Sequence, residues 1–443
     1  MKLPSYPRTK PSGVEWLGDV PEHWEVKRLK MAAQLTDKKV EADEENPVPY
    51  IGMENIESWT GRLLPINPDV VPTGTANAFK SGHTLFGKLR PYLAKACNPD
   101  FDGLCSTELL VLNGVEFDRD SLRYALLSDG FIKLVDSSTY GSKMPRASWD
   151  FIGNCVLPVA PPEEQRSIAA FLDRETGRVD RMVAKKRELI ERLKERRTAL
   201  ISRTVTRGLP PAAARAAGLP ANPPLKPSAL DRLGDIPVHW DALTVRRRAK
   251  RIQTGSTPPT AEERYYEDGT VPWYGPGSFD DQIIVSQPIK QLNVSAVKEG
   301  AARMFASGAT MVVTIGATLG KVSSLSEAGS CNQQITVIEF DHRSIHPRFA
   351  TYQIKRLEPA LRAIAPSATL PILDQGEIAD IALGVPPLPE QAAIAEYLDE
   401  ETARLDALVG KVEEAVERLQ EYRTALITAA VTGKIDVREA SHA

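Results

Sequence analysis

The sequence has little of the chemistry on which most enzymes are built. Its 443 residues include only four cysteines, Cys97, Cys105, Cys155 and Cys331, and six histidines. No cysteines stand as a C-x-x-C pair and the histidines are scattered, which argues against a zinc site and leaves the thiols as reduced core residues. No run approaches the ~18 apolar residues of a membrane span. The opening Met1-Lys2-Leu3-Pro4-Ser5-Tyr6-Pro7 lacks the apolar core of a signal peptide, so a cytoplasmic location is expected. Net charge is −3, too balanced for a chain coated in base along its whole length. The basic residues are nevertheless clustered, in Lys27-Arg28-Leu29-Lys30 and in Val245-Arg246-Arg247-Arg248-Ala249-Lys250-Arg251. A hydrophobic content of 42% and a charged content of 26% are ordinary for a globular protein, and the length suffices for two or three domains.

Nucleotide and nucleophile motifs fail on inspection. Gly82-His83-Thr84-Leu85-Phe86-Gly87-Lys88 has the spacing of a phosphate-binding loop, but Leu89 stands where the Ser or Thr for magnesium belongs, and Pro91 would break the following helix. Gly316-Ala317-Thr318-Leu319-Gly320-Lys321 is one residue short of the same pattern. Asn222-Pro223-Pro224-Leu225 lacks the aromatic residue with which an adenine methyltransferase grips its base. No catalytic residue, metal site or cofactor site is therefore expected on this chain.

What the sequence does have is itself, twice. Leu17-Gly18-Asp19-Val20-Pro21-Glu22-His23-Trp24 returns as Leu233-Gly234-Asp235-Ile236-Pro237-Val238-His239-Trp240, 216 positions on. Pro161-Pro162-Glu163-Glu164-Gln165 returns in Pro386-Pro387-Leu388-Pro389-Glu390-Gln391, with the glutamine displaced by 226 positions. Two like frames with different contents point to two related but non-identical contacts. The copies also differ: Val238 replaces Glu22, Leu388 reads as an insertion in the Pro-Pro-Glu-Gln block, and Gly433-Lys434 stands where the first copy has Arg207-Gly208.

Each second block opens a long helix. Leu172, Val179, Met182, Leu189, Leu193 and Leu200 fall at spacings of three and four, as do Leu398, Leu405, Leu408, Val412, Leu419, Tyr422 and Leu426. Such seams over about four heptads predict two helices of ~30–40 residues packed on each other as an antiparallel, intramolecular coiled coil. Between the first helix and the second copy, residues 208–232 are rich in Ala and Pro and read as a connector. The stretches before each helix carry short β-rich runs, at Val48–Ile51, Leu109–Leu112, Met311–Ile315 and Ile335–Ile338, broken by Gly, Asn, Asp and Pro. The fold class expected is α+β: two mixed α/β domains separated by two long helices, with a pseudo-two-fold internal repeat. The expected order is a domain at 1–158, a helix at 159–207, the connector at 208–232, a domain at 233–384, a helix at 385–436 and a tail at 437–443.

Polar and basic chemistry concentrates on the variable domains. Lys88, Arg90, Tyr92 and Lys95 form one cluster; Tyr140, Ser142, Lys143 and Arg146 form another. The second domain offers Arg246, Thr254, Ser256, Lys321, Gln333 and Gln334. Arg and Lys serve phosphate and guanine, Gln can pair adenine in two bonds, and aromatics pack on sugars and bases, so these residues are the candidates for contact with DNA.

The repeated Leu-Gly-Asp-x-Pro-x-His-Trp block, the Pro-x-x-Glu-Gln helix starts, and the exits Arg197-Thr198-Ala199-Leu200-Ile201 and Arg423-Thr424-Ala425-Leu426-Ile427 together resemble the specificity subunit of type I restriction–modification systems. Leu85-Phe86-Gly87-Lys88-Leu89-Arg90-Pro91-Tyr92 and Asn332-Gln333-Gln334 fit the same family. The resemblance spans essentially the whole chain. It implies that the two variable domains are target recognition domains, each reading half of a split double-stranded DNA target. It implies that the helices set the gap and dock two methyltransferase subunits, joined by restriction (translocase) subunits. S-adenosylmethionine, ATP and magnesium would belong to those partners, with no cofactor on this chain. Two other readings compete: a coiled-coil scaffold with no DNA role, and a self-contained restriction endonuclease, for which the motifs are missing.

Overall fold

The computed structural model describes residues 4–41, 48–67, 74–141, 143–285, 287–363 and 372–438. It divides into two compact units, the first Met1–Glu188 with Val412–Ala443 and the second Leu189–Lys411. Each unit therefore holds one variable region and half of each long helix. The division passes through the helices rather than at their starts, because packing follows which side chains are buried together and not chain order.

Both variable regions are built on the same plan. In the first unit, one four-stranded sheet runs in the order Ala33–Leu35, Leu109–Gly114, Thr84–Gly87, Ala96–Cys97, and a second in the order Lys39–Glu41, Thr75–Phe79, Gly103–Cys105, Tyr50–Ile51. Strand Leu109–Gly114 has period-two side chains, and both faces are buried. Leu110 and Leu112 join Phe86 in one core, and Leu109 and Val111 join Leu85 and Ile51 in another. The second unit repeats this with a five-stranded sheet whose central pair is Ile335–Phe340 and Thr310–Val313. There Ile338 and Phe340 join Val312 on one side, while Ile335 and Val337 join Met311 and Val313 on the other. The β-rich runs expected from the sequence all lie on or beside these strands.

The two repeated sequence blocks turn out to be the two halves of one lock. Helix Pro162–Arg207 begins with a proline in its first turn, where no amide hydrogen is missed, and with Glu163 and Glu164 at the positive end of its dipole. Glu164, almost fully buried, accepts from Tyr6 and lies 2.8 Å from His23 of the first block. Gln165 donates to the carbonyls of Ala160 (2.8 Å) and Glu116 (2.7 Å) and accepts from the amide of Asp118 (2.6 Å). In the second unit Glu390 lies 2.8 Å from His239 and accepts from Trp240 Nε1 at 3.1 Å. Gln391 donates to Pro386 at 2.7 Å and accepts from the amide of His346 at 2.7 Å. Gln165 and Gln391 bond back to Pro161 and Pro387 in the same way, so the two helix starts align without a gap. Leu388 is thus a substitution for Pro162, and not an insertion.

Inside each unit the helices run antiparallel. Ile168, Phe171 and Leu172 pack with Leu426, Ile427, Ala430 and Val431 in the first unit, and Ile201 and Val205 share a core with Ile394 and Leu398 in the second. The buried seam of helix Pro162–Arg207 runs through Leu172, Thr176, Val179, Val183, Ile190, Arg197 and Ile201; that of helix Leu388–Val431 runs through Leu398, Thr402, Leu405, Val416, Arg423 and Ile427. This corrects the expected seam. Leu189, Leu408 and Tyr422 are exposed at 44%, 43% and 53% and lie on the outer face. Met182, Leu193, Leu200, Val412 and Leu419 are half-buried flanks. The apolar pattern alone misplaces the seam because a threonine and an arginine occupy two of its positions in each helix. The threonines are satisfied locally: Thr176 and Thr402 each bond the carbonyl four residues back at 2.6 Å and face a buried tyrosine, Tyr124 or Tyr352.

The connector also has more structure than its composition predicts. Pro211–Ala216 forms a short helix with Ala214 buried, and Leu225–Pro227 pairs with Asp235–Pro237 as Thr9–Pro11 pairs with Asp19–Pro21.

Two outcomes follow from this packing. All four cysteines are buried and free, and burial pushes Cys97, Cys105 and Cys331 up to about 12 and Cys155 to about 11. At pH 8 the native thiolate population should fall about a thousandfold below that of an exposed thiol at Cys97, Cys105 and Cys331, and about a hundredfold at Cys155. Alkylation followed by mass spectrometry should label no cysteine until urea unfolds the chain. Glu390→Ala strands the buried Trp240 Nε1 and should cost about 1–3 kcal/mol, read as a lowered urea midpoint.

Candidate nucleic-acid interface

The two polar clusters of the first domain, Lys88 to Lys95 and Tyr140 to Arg146, are separated by 44 residues of chain and meet in the fold. Leu89 and Tyr140 each form a β-bridge with Arg146. The Arg90 amide donates to the Pro145 carbonyl at 2.7 Å, and the Ala147 amide to the Lys88 carbonyl at 3.0 Å. Together they form a rim at the end of strand Thr84–Gly87. Arg90 and Lys143 are exposed, Lys88 is half-buried, and Tyr92 and Tyr140 are exposed at 46% and 64%. No ion-pair partner for Lys88, Arg90 or Lys143 occurs among the described residues. Ser142 lies outside the described residues.

The backbone of this rim is strained at two places. Arg90 (φ 50°) and Ala94 (φ 45°) occupy the left-handed region, which costs a residue bearing a Cβ about 1 kcal/mol or more. At the equivalent positions, 226 further on, the second unit has Gly316 (φ 101°) and Gly320 (φ 87°). The positive φ is a property of the fold at this turn, and the first unit places an arginine there against the local preference.

Two of the candidate residues are committed elsewhere. Arg146 grips Glu108 with both Nε and Nη2, at 3.0–3.1 Å, and this pairing raises its pKa further. Lys95 donates to the Met53 carbonyl, 2.6 Å away, and burial pulls its pKa down. Lys321 does the same 226 positions later, donating to the Phe279 carbonyl at 2.8 Å. These two lysines tie the turn to a neighbouring 3-10 helix, Met53–Asn55 in one unit and Pro276–Ser278 in the other.

In the second unit the matching rim is built chiefly of amides and hydroxyls, with the exposed Arg303 beside them. Ile315 bridges Ile372, as Leu89 bridges Arg146, and the Leu373 amide donates to the Thr314 carbonyl at 3.0 Å. Thr254 accepts from Gln375 at 2.8 Å. Gln333 is exposed and accepts from Thr257, and Gln334 accepts from Asn332 at 3.0 Å. Ser256 accepts from the Arg303 amide at 3.0 Å, and the Arg303 guanidinium is fixed on the Thr254 carbonyl at 2.5 Å. Arg246 does not belong to this group. It sits at the opposite end of strand Ala249–Thr254 and pairs with Asp380 at 3.0 Å. Sequence reading missed Glu108, Thr257, Arg303 and Gln375. Carrying the 226-residue offset through the variable regions would have pointed to residue 372 and its neighbours, but nothing local marks the others.

Neither glycine-rich stretch forms a phosphate cradle. Thr84–Gly87 is a strand with every residue buried, and in the Gly316–Lys321 turn the Leu319 amide donates to the Gly316 carbonyl and the Gly320 amide to the Val313 carbonyl of the preceding strand. Among the described residues no cluster of His, Cys, Asp and Glu could hold a metal ion, and no helix is long and apolar enough to cross a membrane.

One repeated frame carries two chemically different rims. Residues 250–418 match the family described as the type I restriction modification DNA specificity domain. The chain is 28% identical over 156 residues to the type I restriction enzyme EcoDI specificity subunit of Escherichia coli, and 33% identical over 110 residues to the EcoBI specificity subunit of the same organism. These matches cover 34% and 25% of this chain and only 34% and 23% of the relatives' own lengths. A solved chain from a study of complex assembly and conformational transition in the type I R-M system shares the fold with a TM-score of 0.69 at 21% identity, covering 93% of this chain and 98% of that one. The second half of the chain thus matches that specificity domain, and parts of the chain are similar to the specificity subunits of type I restriction enzymes.

Proposed function

We propose that this chain supplies the address for a DNA-modifying complex, each variable domain reading one half of a split double-stranded target. The observation that supports this best is the pair of rims at one offset: the same turn, bridge and lysine tie carry Lys88, Arg90, Tyr92, Tyr140 and Lys143 in one unit and Thr254, Gln333, Gln334 and Gln375 in the other. A cationic, aromatic rim suits phosphate and guanine, and a rim of amides and hydroxyls suits adenine. One frame with two chemistries fits an asymmetric target better than a palindrome. The long helices set the gap between half-sites and dock two methyltransferase subunits, with restriction subunits completing the complex. Methyl transfer from S-adenosylmethionine and ATP-driven translocation with magnesium belong to those partners, and this chain contributes no catalytic group.

Co-expression with its cognate methyltransferase in a methylation-free host, followed by modification-sensitive sequencing, should give a two-part motif with an unspecified gap and one methyladenine on each strand. Exchanging residues 25–158 for those of another specificity subunit should change one half of the motif only. A change in both halves, or in neither, would refute the division of labour. Arg90→Met should flatten the salt dependence of duplex binding by about one unit of log–log slope. Lys95→Met should instead lower the melting temperature and leave that slope alone. Anisotropy titrations at several salt concentrations separate the two.

A further inference from the structure

Each unit contains a buried arginine at the helix seam, 226 positions apart, and each faces an aspartate on the opposite helix. In the first unit Arg423 Nε donates to Asp180 Oδ1 at 2.9 Å and Nη2 to Oδ2 at 3.4 Å. In the second, Arg197 Nε lies 3.1 Å from Asp406 Oδ1. An ion pair at a helix seam is an expensive way to hold two helices, since apolar residues of like volume do it as well or better. Its recurrence at one offset calls for another role.

Arg423 shows what that role is. Its remaining donors leave the helices: Nη1 donates to the Trp59 carbonyl at 2.7 Å and Nη2 to the Thr60 carbonyl at 3.2 Å. Trp59 takes a positive φ of 64°, which turns this stretch of backbone toward the guanidinium. The loop is braced from within by Thr60 bonded to Glu57 at 2.7 Å and by Arg62 on Glu57 at 3.0 Å. The Trp59 amide then donates to the Ala94 carbonyl at 2.9 Å, and Ala94 closes the strained turn that carries Arg90 and Tyr92. A continuous path of hydrogen bonds therefore runs from both long helices through one arginine to the rim.

We infer that Arg423 is a positioning residue for target reading, fixing the first rim to the helix pair so that the gap between half-sites has a single length. This rests on the reading given under Proposed function. The second unit is tied less firmly, because neither Nε nor Nη2 of Arg197 completes a hydrogen bond.

Two measurements on the full-length chain with its methyltransferase test the assignment. In Arg423→Gln, hydrogen exchange at residues 55–64 should accelerate at least tenfold, with other peptides of the first unit unchanged. Modification-sensitive sequencing should then show methylated motifs with two or more gap lengths and the same bases in both halves. Asp180→Asn, which is isosteric, should give the same changes more weakly, and it decides the matter if the glutamine variant does not accumulate. Unchanged exchange at 55–64 would overturn the clamp. Accelerated exchange with a single, unaltered gap and merely reduced methylation would overturn the positioning role and leave a structural one. If the wild-type chain directs no two-part motif, the DNA-reading function fails, and the exchange result still decides the clamp.

Discussion

The structure depends on how each long helix is fixed at its first turn. A helix start presents amides without intrahelical partners, and a glutamate and a glutamine follow there in each copy. Glu164 and Glu390 turn toward the histidine of the preceding block; Gln165 and Gln391 reach the backbone of the variable domain. Charged and buried hydrogen bonds of this kind are directional, so they fix an angle as well as a contact. The helix leaves its domain in one direction only. Everything that uses the helix as a lever, from the seam to the rim, inherits that direction.

Around this fixed point the two units diverge in a controlled way. Trp240 donates to Glu390, whereas Trp24 leaves its indole nitrogen unpaired and Tyr6 fills the acceptor on Glu164 instead. At the rim, an arginine–glutamate pair in the first unit is replaced by an isoleucine and a glutamine in the second. The frame tolerates these exchanges because the turn is held by backbone bridges and by a lysine on a carbonyl, which do not depend on the side chains displayed. A scaffold held by its backbone is free to vary the surface it displays.

Much of this was legible in the chain. The repeat, the long helices, the β-rich runs and the buried thiols all follow from spacing and composition, since helix and strand periods impose themselves locally. The seam was legible only in part. Leu172, Val179, Leu398, Leu405 and Leu426 are buried as the heptads require, but Leu189, Leu408 and Tyr422 are not. The true seam passes through Thr176, Arg197, Thr402 and Arg423, and a polar residue gives a hydrophobic pattern nothing to count. The candidate interface was legible as two clusters and not as one rim, because their union depends on the Leu89–Arg146 bridge across 57 residues.

The sequence by itself determined the duplicated frame and the α+β class, because a repeat is a property of order along the chain and survives any folding. The tertiary structure alone decided which charged residues are free. Arg90 and Arg146 look alike in the sequence, as do Lys88 and Lys95, yet one of each pair faces solvent or stands without an ion-pair partner and the other is spent on a carboxylate or a carbonyl. A side chain's availability depends on what lies within about 3 Å of it, and those neighbours come from distant parts of the chain. Folding brings them there, and no local pattern records it.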